Sequence, residues 1–127
     1  MRENVVQQKS KKLALRMIQL GRYLTGEANH DTALYILVKQ VLRSGTSIGA
    51  NVRESLSAQS TADFISKLNI ALKEGDETKY WLELLHESGY LSDKEFQSIY
   101  NDTSEVNSLL TSIILAKKKN IAEEAKQ

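Results

Sequence analysis

Apolar residues recur along this chain at alternating steps of three and four in four separate runs, the spacing of one buried helix face. The first run, Val6, Leu13, Met17, Leu20 and Leu24 with Ser10 in its polar slot, predicts a helix over about 4–24. Thr25-Gly26-Glu27 ends it, Gly26 being suited to a left-handed cap. Asp31 or Asn29 can cap a second helix over about 31–57, whose stripe runs Leu34, Leu37 or Val38, Val41, Gly45, Ile48, Val52 and Ser55 or Leu56. Ser60-Thr61-Ala62-Asp63 reads as a capping box with Asp in the fourth place and opens a third helix over about 61–88. Its register is Phe64, Leu68, Ala71, Gly75, Thr78, Leu82 and Leu85, and Gly89 stops it. Ser92-Asp93-Lys94-Glu95 is a cleaner box and opens a fourth helix over about 93–118, with Phe96, Ile99, Thr103, Val106, Leu110 and Ile113 inward. From Lys117 the pattern dissolves, and a flexible polar tail is expected over about 119–127.

Short connections place successive helices antiparallel, so the expected fold is all-α, one up-down-up-down four-helix bundle spanning 1–127. Gly45 and Gly49 lie one turn apart inside the second helix. Glycine costs up to about 1 kcal/mol in a helix interior, so a close backbone crossing is the expected reason for both. The third helix carries a second apolar face, Tyr80, Trp81 and Leu84, which one bundle core cannot cover. That face predicts a homo-oligomer contact.

The chain has no proline, six glycines and no cysteine, so long helices are unobstructed and disulfides and thiolate metal sites are excluded. The N-terminus lacks the apolar core of a signal peptide, and no apolar run approaches the ~18 residues of a membrane span. A soluble, cytoplasmic protein with no membrane contact is expected. The net charge of +1 hides an uneven layout. In a bundle, residues 1–16, 50–67 and 112–127 share one end and hold eleven basic residues against five acidic, while the rest holds six against eleven. Such a pole attracts phosphates. Its candidate contacts are Lys9, Lys11, Lys12, Arg16, Arg53, Lys117, Lys118 and Lys119. Lysines that offset a helix dipole and keep the surface soluble are the competing account. No aromatic residue interleaves with them, so base stacking is unsupported.

Catalytic chemistry finds no footing. Glu83-Leu84-Leu85-His86 has the Glu-x-x-His spacing of a di-iron ligand pair once, and the fourth helix offers no second copy, so no metal or other cofactor is expected. Ser44, Ser47 and Ser55 have no histidine in register. Asn51, beside Ile48 and Val52, is expected to be partly buried and hydrogen-bonded, with Glu77 as its acceptor and Arg43 balancing the charge. Glu54 is the other polar position that composition leaves unexplained.

The linked set Arg43-x-x-x-Ser47-Ile48-x-x-Asn51-Val52-x-Glu54, Asp63-Phe64, Asn69-Ile70-Ala71-Leu72-Lys73-Glu74-Gly75-x-Glu77-Thr78-x-Tyr80-Trp81-Leu82 and Gly89-Tyr90-Leu91 resembles the "four helix bundle protein" family. That family is also labelled intervening sequence protein, after bacterial 23S ribosomal RNA genes. The match covers most of the chain, and Ser55 stands where many relatives have glycine. The resemblance implies a homopentamer with a central channel, and a relative, the accessory protein of diversity-generating retroelements, that binds nucleic acid through a basic surface. The expected function is therefore a noncatalytic oligomeric bundle, not an enzyme, that binds RNA or DNA through its basic pole. The alternative is a protein-interaction scaffold without nucleic acid.

Overall fold

The computed structural model describes residues 2–26 and 30–126, with side chains from residue 4 onward. Four helices account for the described elements: α1 (Arg2–Thr25), α2 (Thr32–Ser55), α3 (Thr61–Glu87) and α4 (Asp93–Ala125). No strand occurs among the described residues. Neighbours are α1–α2, α2–α3, α3–α4 and α4–α1, so α1 and α3 stand on one diagonal, α2 and α4 on the other. Paired positions run in opposite directions across three of the four seams: Ser10 with Gly49 and Met17 with Gly45, Phe64 with Lys117 and His86 with Phe96, Lys9 with Glu105 and Arg16 with Asp102. The bundle is antiparallel throughout.

Its core follows the apolar stripes. Val6, Leu13 and Met17 of α1 meet Leu34, Val38, Val41, Ile48 and Val52 of α2. Leu68, Ala71, Leu82 and Leu85 of α3 and Ile99, Val106, Leu110 and Ile113 of α4 complete it. Both alternatives in α2 are resolved: Val38 and Ser55 are buried, while Leu56 is 51% exposed. In α3, Ile65 is buried and Phe64 only half-buried.

The starts of α2, α3 and α4 satisfy orphan amides with local side chains. Asp31 caps α2 by accepting from the Leu34 amide at 3.0 Å; Asn29 lies outside the described residues. Ser60 accepts from Asp63 N, and the Asp63 carboxylate, too short to reach the cap amide, accepts from Gln59 instead. Ser92 and Glu95 form the complete reciprocal box. Gly26 does not adopt the left-handed conformation expected of it. Positive φ falls on His30 (64°), just before α2, and on Gly89 (86°), just after α3. The fourth helix also continues through Ala125 rather than ending near 118. Lys, Glu and Ala in 117–125 end the apolar stripe while keeping high helix propensity.

Glycine sites set the helix spacing. A Cβ on Gly45 would meet Met17 Cγ at 2.6 Å, and one on Gly49 would lie 3.2 Å from the Ser10 carbonyl oxygen, so α1 and α2 pack nearly backbone to backbone. Ser44 and Thr78 join α2 to α3 through a buried hydroxyl bond of 2.9 Å. Across α3–α4, the Asn107 amide occupies the space a Gly75 Cβ would take. Asn107 is 6% exposed, donates to Asp76 at 3.3 Å, and leaves its own Oδ1 without a donor. Gly75→Ala is therefore expected to destabilise the protein by about 1–3 kcal/mol through overpacking. In an Asn107→Ala background the same change should instead stabilise by up to about 1 kcal/mol through helix propensity. Urea unfolding of the four variants reads the cycle; additive effects would mean the two sites do not touch.

At the pole away from the lysines, Tyr90 donates to Asp31 at 2.8 Å, tying the α3–α4 turn to the start of α2. The Leu34 amide, then the Tyr90 hydroxyl, hold the Asp31 carboxyl below its usual range. The Asp31 bond raises the Tyr90 phenol above its usual range. A lowered carboxyl contributes stability above its unfolded pKa that is lost as pH falls through the folded one; a raised phenol contributes stability below its unfolded pKa that is lost as pH rises through its folded one. Tyr90→Phe should flatten both flanks of the Tm–pH curve, leaving on the acid side the part carried by the Leu34 amide. A profile superimposable on wild type at both flanks would refute the tie.

Candidate nucleic-acid interface

The eight candidate cations of the pole fall into three groups. Lys9 pairs with Glu105, and Arg16 pairs with Asp102 while reaching the Ser98 carbonyl at 3.4 Å and its hydroxyl at 3.1 Å. Both cations thus close the α1–α4 seam, the sparsest of the four helix contacts. Lys117 lies over the Phe64 ring, 5.3 Å from its centroid, which covers the half-buried ring at the start of α3. Lys11, Lys12, Arg53, Lys118 and Lys119 are exposed. Of these, Lys11 and Arg53 both line the α1–α2 groove, a hollow of about 450 Å³ that they share with Gln7, Gln8, Gly49 and Leu56. Gly49 is part of its lining, where the backbones of α1 and α2 come close. Two cations and two side-chain amides around such a gap can hold a phosphate group by charge-assisted hydrogen bonds.

The sequence placed these charges on one pole but missed their partners. Asp102 and Glu105 sit midway along α4, and only the antiparallel register of α1 against α4 brings them to Lys9 and Arg16. Asn107 was missed as well, because a polar residue beside Val106 interrupts no apolar stripe.

On the α2–α3 side, Arg43 forms an ion pair with Glu77, approaches Glu74 at 3.5 Å and donates to Gln40 at 3.3 Å. Glu77 also accepts from the indole N–H of Trp81 at 2.9 Å. The expected Asn51–Glu77 bond is absent: Asn51 donates to the Ser47 carbonyl at 2.9 Å, one turn back in its own helix. Ser47 and Thr46 do likewise, to Arg43 and Leu42 at 2.7 Å each. Short polar side chains on a helix reach their own backbone more readily than a neighbour's. Ile48 is buried and Glu54 exposed. Trp81 packs partly against the core, with Leu84 half-buried and Tyr80 53% exposed; the Tyr80 and Trp81 rings meet edge-on at 5.0 Å. Glu83 and His86 diverge: Glu83 accepts from Tyr100 at 3.2 Å, while His86 stacks on Phe96 at 4.3 Å and meets Asp93 at 2.6 Å. Among the described residues no three metal-binding side chains converge, and no helix is long and apolar enough to cross a membrane.

These features define an antiparallel four-helix bundle with a basic end and an aromatic α3 flank. The chain belongs to the 23S rRNA-intervening sequence protein family, whose model matches residues 2–112. It is similar to a crystallised protein of unknown function from the S23 ribosomal protein family of Bacteroides thetaiotaomicron. The two share 52% identity over 90% of this chain and 98% of that one, with a TM-score of 0.83. No curated protein matches significantly.

Because Trp81 is the chain's single tryptophan, its fluorescence reports on the Arg43–Glu77–Trp81 link. Glu77→Leu removes a half-exposed ion pair and one hydrogen bond, and should cost about 1 kcal/mol with a shift in Trp81 emission. Arg43→Leu, which leaves the indole bond intact, should cost less and leave emission in place. Equal emission in all three proteins would show that Glu77 does not hold the indole.

Proposed function

We propose that this protein is a noncatalytic, ring-forming helical bundle, assembled as a homopentamer, that contacts RNA or DNA phosphates through its basic pole. The observation that carries this reading is that Lys11 and Arg53 line one hollow between α1 and α2, at the same pole as Lys118 and Lys119. The family's description, which refers to 23S rRNA, favours a phosphate-rich partner. Lys9 and Arg16 serve the α1–α4 seam and contribute less to binding than their sequence position suggests. Its cations contact phosphates, which carry no sequence information, so binding is sequence-independent. Each subunit offers few cations and binds feebly alone. A ring raises the effective concentration of the remaining sites once one is engaged.

Fluorescence anisotropy with labelled structured RNA and duplex DNA at about 50 mM salt tests this, since non-specific affinities lie near 10⁻⁴–10⁻⁶ M. Affinity should fall steeply with salt. Lys11→Gln with Arg53→Gln should make the log–log slope shallower by about 1.4–1.8, the share of two phosphate contacts. Lys9→Gln should alter the slope little. If the intact oligomer binds neither probe at tens of micromolar, the pole is a solvated helix end. The exposed Tyr80 flank then favours a scaffold for another polypeptide.

A further inference from the structure

A second apolar patch lies on α1, where Leu15 is 52% and Ile18 37% exposed. Because α1 and α3 are diagonal and not adjacent, a single chain cannot bring this patch to the Tyr80–Trp81–Leu84 flank. Both nevertheless stand at one height. Met17 packs on Gly45, and the adjacent Ser44 is bonded to Thr78, so Ile18 is level with the turn of α3 that holds Glu77, Tyr80 and Trp81.

Their charges are opposite. From residue 4 to 25, α1 carries Lys9, Lys11, Lys12, Arg16 and Arg22 and no acidic residue. Lys9 and Arg16 turn toward α4, and Arg22 stays exposed on the outward side with Leu15 and Ile18. From 74 to 87, α3 carries Glu74, Asp76, Glu77, Glu83 and Glu87, with Lys79 as its one lysine.

We infer that the Leu15–Ile18 patch of one copy receives the Tyr80–Trp81–Leu84 flank of the next, with Arg22 facing the acidic half of α3. The contact rests on the ring reading above and adds the surface that completes it. The two patches lie on diagonal helices, so a contact between them joins unlike surfaces of two copies. Joining unlike patches at equal height makes a heterologous contact, the kind that closes into a ring.

Ile18→Glu places an acid against the acidic flank, and Tyr80→Lys places a cation against the basic patch; both positions are exposed, so each variant should keep wild-type helicity. Light scattering at micromolar concentration should give each variant alone near the 14.3 kDa chain mass. Mixing the two should restore co-association, because each supplies the surface the other lacks. Arg22→Glu, a polar exchange on an exposed site, should raise the concentration at half-assembly about tenfold or more, in keeping with a close interfacial charge pair. A wild-type monomer would end the ring reading itself. A wild-type ring that Ile18→Glu leaves intact, or a mixture that stays monomeric, would end this contact alone.

Discussion

Met17 lies against the α-carbon of Gly45 so closely that one added methyl group would sit 2.6 Å from its side chain. That approach fixes the height of α1 against α2. Ser44, the residue before Gly45, bonds Thr78 and carries the height over to α3. Gly75, one turn before Thr78, receives Asn107 from α4. A belt of small residues thus aligns all four helices at mid-bundle. Each glycine in it forfeits up to about 1 kcal/mol of helix propensity, which close packing offsets. The Lys9–Glu105 and Arg16–Asp102 pairs and the Arg43–Glu77 link form only because the belt puts their helices in this register.

The helices were legible in the sequence because a buried face repeats every three or four residues whatever its neighbours are. Their starts were legible for a similar reason, since Asp31, Ser60 and Ser92 act on amides two or three residues away. Ends were harder. The fourth helix outlasts its apolar stripe, because burial and helix propensity are separate signals and Lys117–Ala125 loses only the first. Positive φ at His30 rather than Gly26 depends on how the chain enters α2, which composition does not encode.

The candidate interface was only half legible. Charge could be assigned to a pole by counting, since topology alone decides which segments share an end. Whether a cation there faces solvent or an opposing carboxylate depends on register, and register is set by the Gly45 and Gly75 contacts. Lys9 and Arg16 meet carboxylates of α4 for that reason, while Lys11 and Arg53 line one groove. Asn51 shows the same limit at shorter range: its partner is the carbonyl one turn back, a choice made by side-chain length and not by the charge of Glu77.

From Lys118 onward every described residue of α4 is exposed, and the family match stops at residue 112. Mechanically this stretch is a cantilever. Inserting one residue there would swing everything beyond it by about 100° and carry it about 1.5 Å outward, with no interior side chain disturbed. The same insertion in α2 would throw Ser44, Gly45 and Gly49 off their neighbours. The fold therefore separates a part whose length is locked from a part whose length can drift. Lysines on the drifting part can be re-aimed around the helix axis by small changes in chain length, an adjustment open to no charge mounted on the bundle wall.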